Sequence, residues 1–166
     1  MKHTIFWARF FLAATIATAA LIFWFSAQKG AGSQALSDSL TRSVARVLRP
    51  DYMQLSKRAR FSYLHTISII IRKNAHFCEY MLLGFCLMGT FRFYFPALSD
   101  GGCRLRAMVI AALYAASDEL HQLFVANRSS RALDVLIDCA GSLAGTLVFA
   151  LCLALLVKLR QRRARR

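Results

Sequence analysis

Between Ser117 and Gly145 the sequence reads SDELHQLFVANRSSRALDVLIDCAGSLAG. It sets Asp118, Glu119, His121 and Gln122 near the end of one hydrophobic run and Asp134 and Asp138 near the start of the next. A carboxylate at the centre of a lipid-spanning helix costs roughly 2.5 to 3.5 kcal/mol on insertion scales. Acids set into apolar runs therefore need buried partners or a water-filled pocket, and the fold must bring them to one.

Composition sets the surroundings. The chain has 166 residues, 57% of them hydrophobic, with a mean hydropathy of +0.44. That is too apolar and too unevenly patterned for an ordinary soluble domain of this size, and residues 1–166 read as a single membrane domain. Formal net charge is +14, from 22 Lys and Arg against 8 Asp and Glu. The basic residues gather in the polar segments between and after the apolar runs, which makes anionic lipid headgroups the expected partner. No zinc spacing, aromatic RNP pattern or soluble helix-turn-helix accompanies the charge, so nucleic acid is not expected. Cys78, Cys86, Cys103, Cys139 and Cys152 form no CxxC pair, and four of them fall inside apolar runs, as small packing residues do.

Helical spans are expected over about 5–26, 75–95, 105–125 and 133–157, each long enough to cross a ~30 Å hydrocarbon core. The first competes with a cleavable signal peptide. Its apolar stretch from Phe10 to Phe25 is longer and more aromatic than a usual signal core, and bulky Phe25 stands where a small residue should precede Ala27, so a retained anchor is favoured. A basic loop, 27–74, follows. In it Leu36, Leu40, Val44, Val47 and Leu48 recur at helical spacing opposite Arg42, Arg46 and Arg49, a short amphipathic helix ending at Pro50. Such a helix can lie flat on a bilayer or pack on the protein itself. Phe61 to Ile71 is too short to span and reads as a separate interfacial or re-entrant helix. Pro96, Ser99, Asp100, Gly101 and Gly102 form a turn, Asn127 to Arg131 the next, and 158–166 a polybasic tail.

The expected fold is thus all-α, an integral membrane four-transmembrane-helix bundle with one or two interfacial amphipathic helices in its first loop. Each membrane face receives 11 basic residues, so positive-inside counting alone does not orient it. The tail concentrates six in nine residues, which places both termini of this multi-pass protein in the cytoplasm.

In that topology the start of the second span, the end of the third and the start of the fourth share one membrane face. Glu79, Asp118 and Asp138 lie about 6, 10 and 7 Å inside their spans at about 1.5 Å per residue. Arg72, Lys73, His76, Glu79 and Tyr80 share a stripe on the second span, and Asp118 stacks on Gln122 on the third, with Glu119 and His121 flanking. Asp134, Asp138, Gly141 and Gly145 line one side of the fourth, acidic at its mouth and smooth below, where another helix can approach closely.

At these residues the chain resembles the VanZ-like family of small multi-pass bacterial membrane proteins. The resemblance rests on FSAQ (25–28), RKNAHFCEY (72–80), DELHQLF (118–124), Arg128 and DVLIDCAGSLAG (134–145). Two departures are Asp138, where the family commonly has Asn, and Ala126-Asn127, where Pro-Gly is usual. The resemblance implies a cell-envelope role and a link to glycopeptide antibiotic resistance, without an agreed catalytic mechanism.

Several functions fit these residues. Glu79, Asp118 and Glu119 are candidate catalytic acids or bases acting on a lipid headgroup or lipid-linked precursor, with Arg72, Lys73, His76, Tyr80, Gln122, Arg128, Asp134 and Asp138 binding it. The same groups could instead pair with one another as a non-enzymatic scaffold that binds lipid or a partner. They could also carry protons or ions, for which four spans offer little room unless the chain forms a homo-oligomer. No cofactor motif is present. A divalent cation could be held by His76, Glu79, Asp118, Glu119, His121 and Asp134, although HxxE is a common pattern and no HExxH occurs. No motif marks a nucleophile; Ser117, Ser129 and Ser130 lack one.

Overall fold

The computed structural model describes residues 2–27, 31–122 and 132–165. Among them every regular element is helical: α1 (Lys2–Ala27), α2 (Ala31–Leu48), a short 3-10 helix (Pro50–Gln54), α3 (Lys57–Tyr94), α4 (Asp100–Gln122) and α5 (Ala132–Ala164). The expected turn at Asn127–Arg131 lies outside the described residues.

Two helices are long and apolar enough to cross a membrane, Thr4–Ala27 in α1 and Leu133–Ala164 in α5. Only 22% and 28% of their most apolar stretches is buried within the protein, so these are not the hidden core helices of a soluble domain. Phe6, Ile16 and Trp24 on α1 and Leu136, Leu147 and Leu151 on α5 are all exposed.

The break expected between Phe61–Ile71 and a helix starting at Ala75 does not occur. α3 runs uninterrupted for 38 residues, about 57 Å at ~1.5 Å per residue. Arg72 and Lys73 interrupt the hydropathy, but both are good helix formers, and neither Pro nor Gly occurs from Lys57 to Leu83. The helix opens on Ser56, whose hydroxyl accepts the Ala59 N–H at 3.4 Å, and ends just ahead of Pro96. A second boundary also moves. Ser99 accepts the Gly102 N–H at 3.1 Å, so Gly101 and Gly102 belong to the first turn of α4 rather than to the connection.

α2 ends ahead of Pro50, as its sequence predicts, and packs on the N-terminal half of α3. Ala45, Tyr52 and Ile67 bury together there, and the Tyr63 hydroxyl donates to the Ala45 carbonyl at 3.2 Å. Leu40, Val47 and Leu48 stay exposed on its other side.

α3 is central, touching α1, α2, α4 and α5. Its closest neighbour is α5, because glycine lets the two backbones meet. A Cβ at Gly141 would strike the Phe77 carbonyl, one at Gly145 the Met81 carbonyl, and one at Gly84 the Ser142 carbonyl. α1 crosses the other side of α3, where Thr15 and Thr90 share a hydrogen bond of 3.0 Å and the Phe11 ring covers Gly89. α4 buries a stripe of small residues, Cys103, Ala107, Ala111 and Ala115, and its Tyr114 hydroxyl donates to the Ala19 carbonyl of α1 at 2.6 Å.

Gly145→Ala is expected to cost about 3 kcal/mol or more, because the added methyl meets rigid backbone. Gly101→Ala, with nothing within 4 Å of its Cβ position, should be neutral or stabilising by up to about 1 kcal/mol. Paired unfolding curves of the two variants in detergent measure the contrast.

Candidate functional site

The small-residue stripe of α4 does not stop at Ala115. Four residues on comes Glu119, and Asp118 and Gln122 flank it, so the packing face that brings α4 against its neighbours carries two acids inward at its C-terminal end. They are 3% and 6% exposed, for Asp118 and Glu119 respectively. On α5 the glycine contacts with α3 aim the same side of the helix inward, which buries Asp138. α3 supplies Arg72, Lys73 and His76 one to two turns before its closest approach to α5.

The three helices meet in a narrow cleft. Arg72, Lys73 and His76 of α3, Glu119 and Gln122 of α4, and Asp134, Ile137 and Asp138 of α5 line it. Lys73 Nζ lies 2.9 Å from Asp134 Oδ1, a direct ion pair between α3 and α5. His76 Nδ1 lies 3.9 Å from Asp138 Oδ1. Gln122 Nε2 donates to Asp118 Oδ2 at 3.1 Å, the stacking that their four-residue spacing predicts.

Asp138 is the most confined acid, 1% exposed, and among the described residues neither of its carboxylate oxygens has a hydrogen-bond partner. Asp118 Oδ1 and the Tyr80 hydroxyl share that condition. Asp118, Glu119, Asp134 and Glu79 all lie within electrostatic reach of Asp138, and Asp118, Glu119 and Asp138 within reach of Tyr80. The interior of the cleft measures only ≈ 10 Å³, about the room of a single water. A whole metabolite does not fit such a space, since small-molecule sites enclose about 300 to 1,000 Å³. One polar group at the end of a larger molecule does, and it would meet acceptors on Glu119 and Asp138 and donors on Arg72 and His76.

Not every expected residue reaches the cleft. Glu79 is half-buried on α3 and does not line it, and Asp118 and Tyr80 lie behind its wall. His121 turns toward α1, its ring 5.0 Å from that of Phe23. Arg128 lies outside the described residues. Among the described residues no three of His, Cys, Asp or Glu stand together as a metal-binding group, and His121 packs on Phe23 of α1. Two polar groups escaped notice in the sequence, Ser142 and Thr146, both fully buried. Ser142 Oγ donates to the Tyr80 carbonyl at 3.2 Å, joining α5 to α3 directly behind Asp138. Their four-residue steps from Asp138 were the available signal.

Removing one partner of the half-buried ion pair leaves the other stranded. Lys73→Met is expected to cost about 1 to 3 kcal/mol, most of it recovered when Asp134→Leu is added. A double-mutant cycle on unfolding free energies should return a coupling of about 1 to 3 kcal/mol.

A protein-family model described as VanZ/LLP1 matches residues 11–154, from within α1 to within α5, and takes in every residue of the cleft. Neither a curated protein nor a solved structure matches the chain.

Proposed function

Since this chain belongs to the VanZ/LLP1 family, a membrane protein family linked to glycopeptide resistance, we propose that it acts in the cell envelope by binding or modifying an amphiphile whose polar end enters the three-helix cleft. The amphiphile is a lipid headgroup or a lipid-linked precursor. In this reading α1, α3, α4 and α5 all cross the inner membrane, both termini are cytoplasmic, and the cleft opens near the outer face. Arg72 holds an anionic group at the mouth, and Glu119, the one of the three candidate acids on the cleft wall, moves a proton.

One observation carries the proposal. Asp138 is buried within electrostatic reach of four other acids, with His76 Nδ1 at 3.9 Å and neither oxygen hydrogen-bonded by a described residue, an arrangement that costs stability. Helix register does not need it, because the glycine contacts between α3 and α5 already set how those helices meet. The size of the cleft favours an amphiphile over a soluble metabolite.

A scaffold without a ligand is the second reading, and the Lys73–Asp134 ion pair favours it, since that pair does tie two helices together. Native mass spectrometry of the purified protein with its co-purifying lipids separates the two. For a binding cleft, Glu119→Gln lowers occupancy by the retained amphiphile about tenfold, equivalent to ~1.4 kcal/mol, without lowering the unfolding temperature. For a scaffold the same variant lowers the unfolding temperature and leaves the bound-lipid pattern as it was.

A further inference from the structure

A second cavity lies away from the carboxylates. It is a groove of ≈ 580 Å³ at the opposite end of the bundle, between the C-terminal halves of α3 and α5 and beside the first turn of α4. Ala154, in its wall, lies 16 residues along α5 from Asp138, about 24 Å at ~1.5 Å per residue. We propose that this groove is a binding site for an anionic phospholipid, separate from the acidic cleft.

The groove has two kinds of wall. Met88 from α3 and Phe149, Leu153 and Val157 from α5 make one side apolar. Ala150 and Ala154, one turn apart, leave the depression, since small side chains at successive turns lower the helix surface between larger neighbours. The other side is basic. Arg92 and Lys158 stand at the rim, and Arg92 is held beside Asp100 at 3.4 Å with its Nε otherwise lacking a hydrogen-bond partner among the described residues. α5 stays helical to Ala164, so Arg160, Arg162 and Arg163 continue on the same rod within two turns of Lys158. An apolar trough whose rim carries Lys158 and the Arg92–Asp100 pair, positive on balance, matches an acyl chain with an anionic headgroup, and its volume falls in the range of about 300 to 1,000 Å³ that specific sites enclose.

Surroundings single out a lipid over a soluble anion. Leu151, Leu155 and Leu156 on the neighbouring faces of α5 are exposed, so the trough is reached from an apolar surface rather than from water. A free phosphate would find the rim but have no use for the trough, whereas a phospholipid occupies both. Such a lipid would cement α3 to α5 at the end where no glycine brings their backbones together.

The full chain, purified in detergent and stripped of lipid, is titrated with phosphatidylglycerol, with phosphatidylcholine of the same chains, and with inorganic phosphate, and binding is counted by native mass spectrometry. One phosphatidylglycerol should bind before any other, about fivefold or more tighter than phosphatidylcholine, with no competition from millimolar phosphate. Lys158→Glu should remove that preference. Ala154→Trp should fill the trough and abolish the first binding event with the tail charge intact; Ala154→Leu serves the same purpose should the larger variant fail to fold. Equal binding of the two lipids would overturn the proposal. So would phosphatidylglycerol binding that survives the trough-filling variants and disappears only when residues 159–166 are removed, because that result assigns the lipid to the tail alone.

Discussion

Backbone contact between α3 and α5 is the constraint on which the remaining structure depends. Gly84, Gly141 and Gly145 remove the side chains that would hold the two helices apart, and the carbonyls of Phe77, Met81 and Ser142 occupy the space. Helices in an apolar medium gain little from burying more apolar surface, so close van der Waals approach is among the forces that can hold them. Once the two are seated, the side of α5 that carries the glycines must face α3. Asp138 and Ser142 lie on that side and are buried with them.

The cleft follows from this geometry with one addition from α4. Its Cys103, Ala107, Ala111 and Ala115 stripe is a second close-packing surface, and the next step along it is Glu119. Acids reach the interior because they extend packing faces at the end of the bundle, not because a separate structure was built for them. What separates them from ordinary packing is their expense. A register device made of glycine and alanine is cheap, whereas an acid as enclosed as Asp138, without a hydrogen bond from any described residue, is costly. The groove near Ala154 shows the opposite chemistry at the opposite end, apolar and rimmed by cations.

Much of this was legible in the residues. The halt of α2 before Pro50, the smooth side of α5 at Gly141 and Gly145, the Asp118–Gln122 stack and the meeting of α3, α4 and α5 at their charged ends all follow from periodicity and from punctuation by proline and glycine. The continuity of α3 did not, because hydropathy drops at Arg72 and Lys73 while helix propensity does not, and only propensity decides whether the backbone stops. The aim of His121 was equally hidden. It sits between two faces of α4, and the choice between them was made by an aromatic ring on α1 that helical spacing within α4 cannot reveal. Ser142 and Thr146 were masked by the glycines beside them, which dominate the reading of that face.

Cross-linking in native membranes tests most directly whether ionisable groups from separate helices share one compartment. After Cys78, Cys86, Cys103, Cys139 and Cys152 are replaced by alanine, cysteine pairs are introduced at 76 with 138 and at 119 with 138, and a control pair at 120 with 138, and a short thiol-specific linker is applied. Leu120 is exposed on the outer face of α4 and His76 and Glu119 line the cleft with Asp138, so the first two pairs should join rapidly and the third should not. Efficient joining of 120 with 138, and none of 76 or 119 with 138, would contradict a shared cleft and with it the functional account.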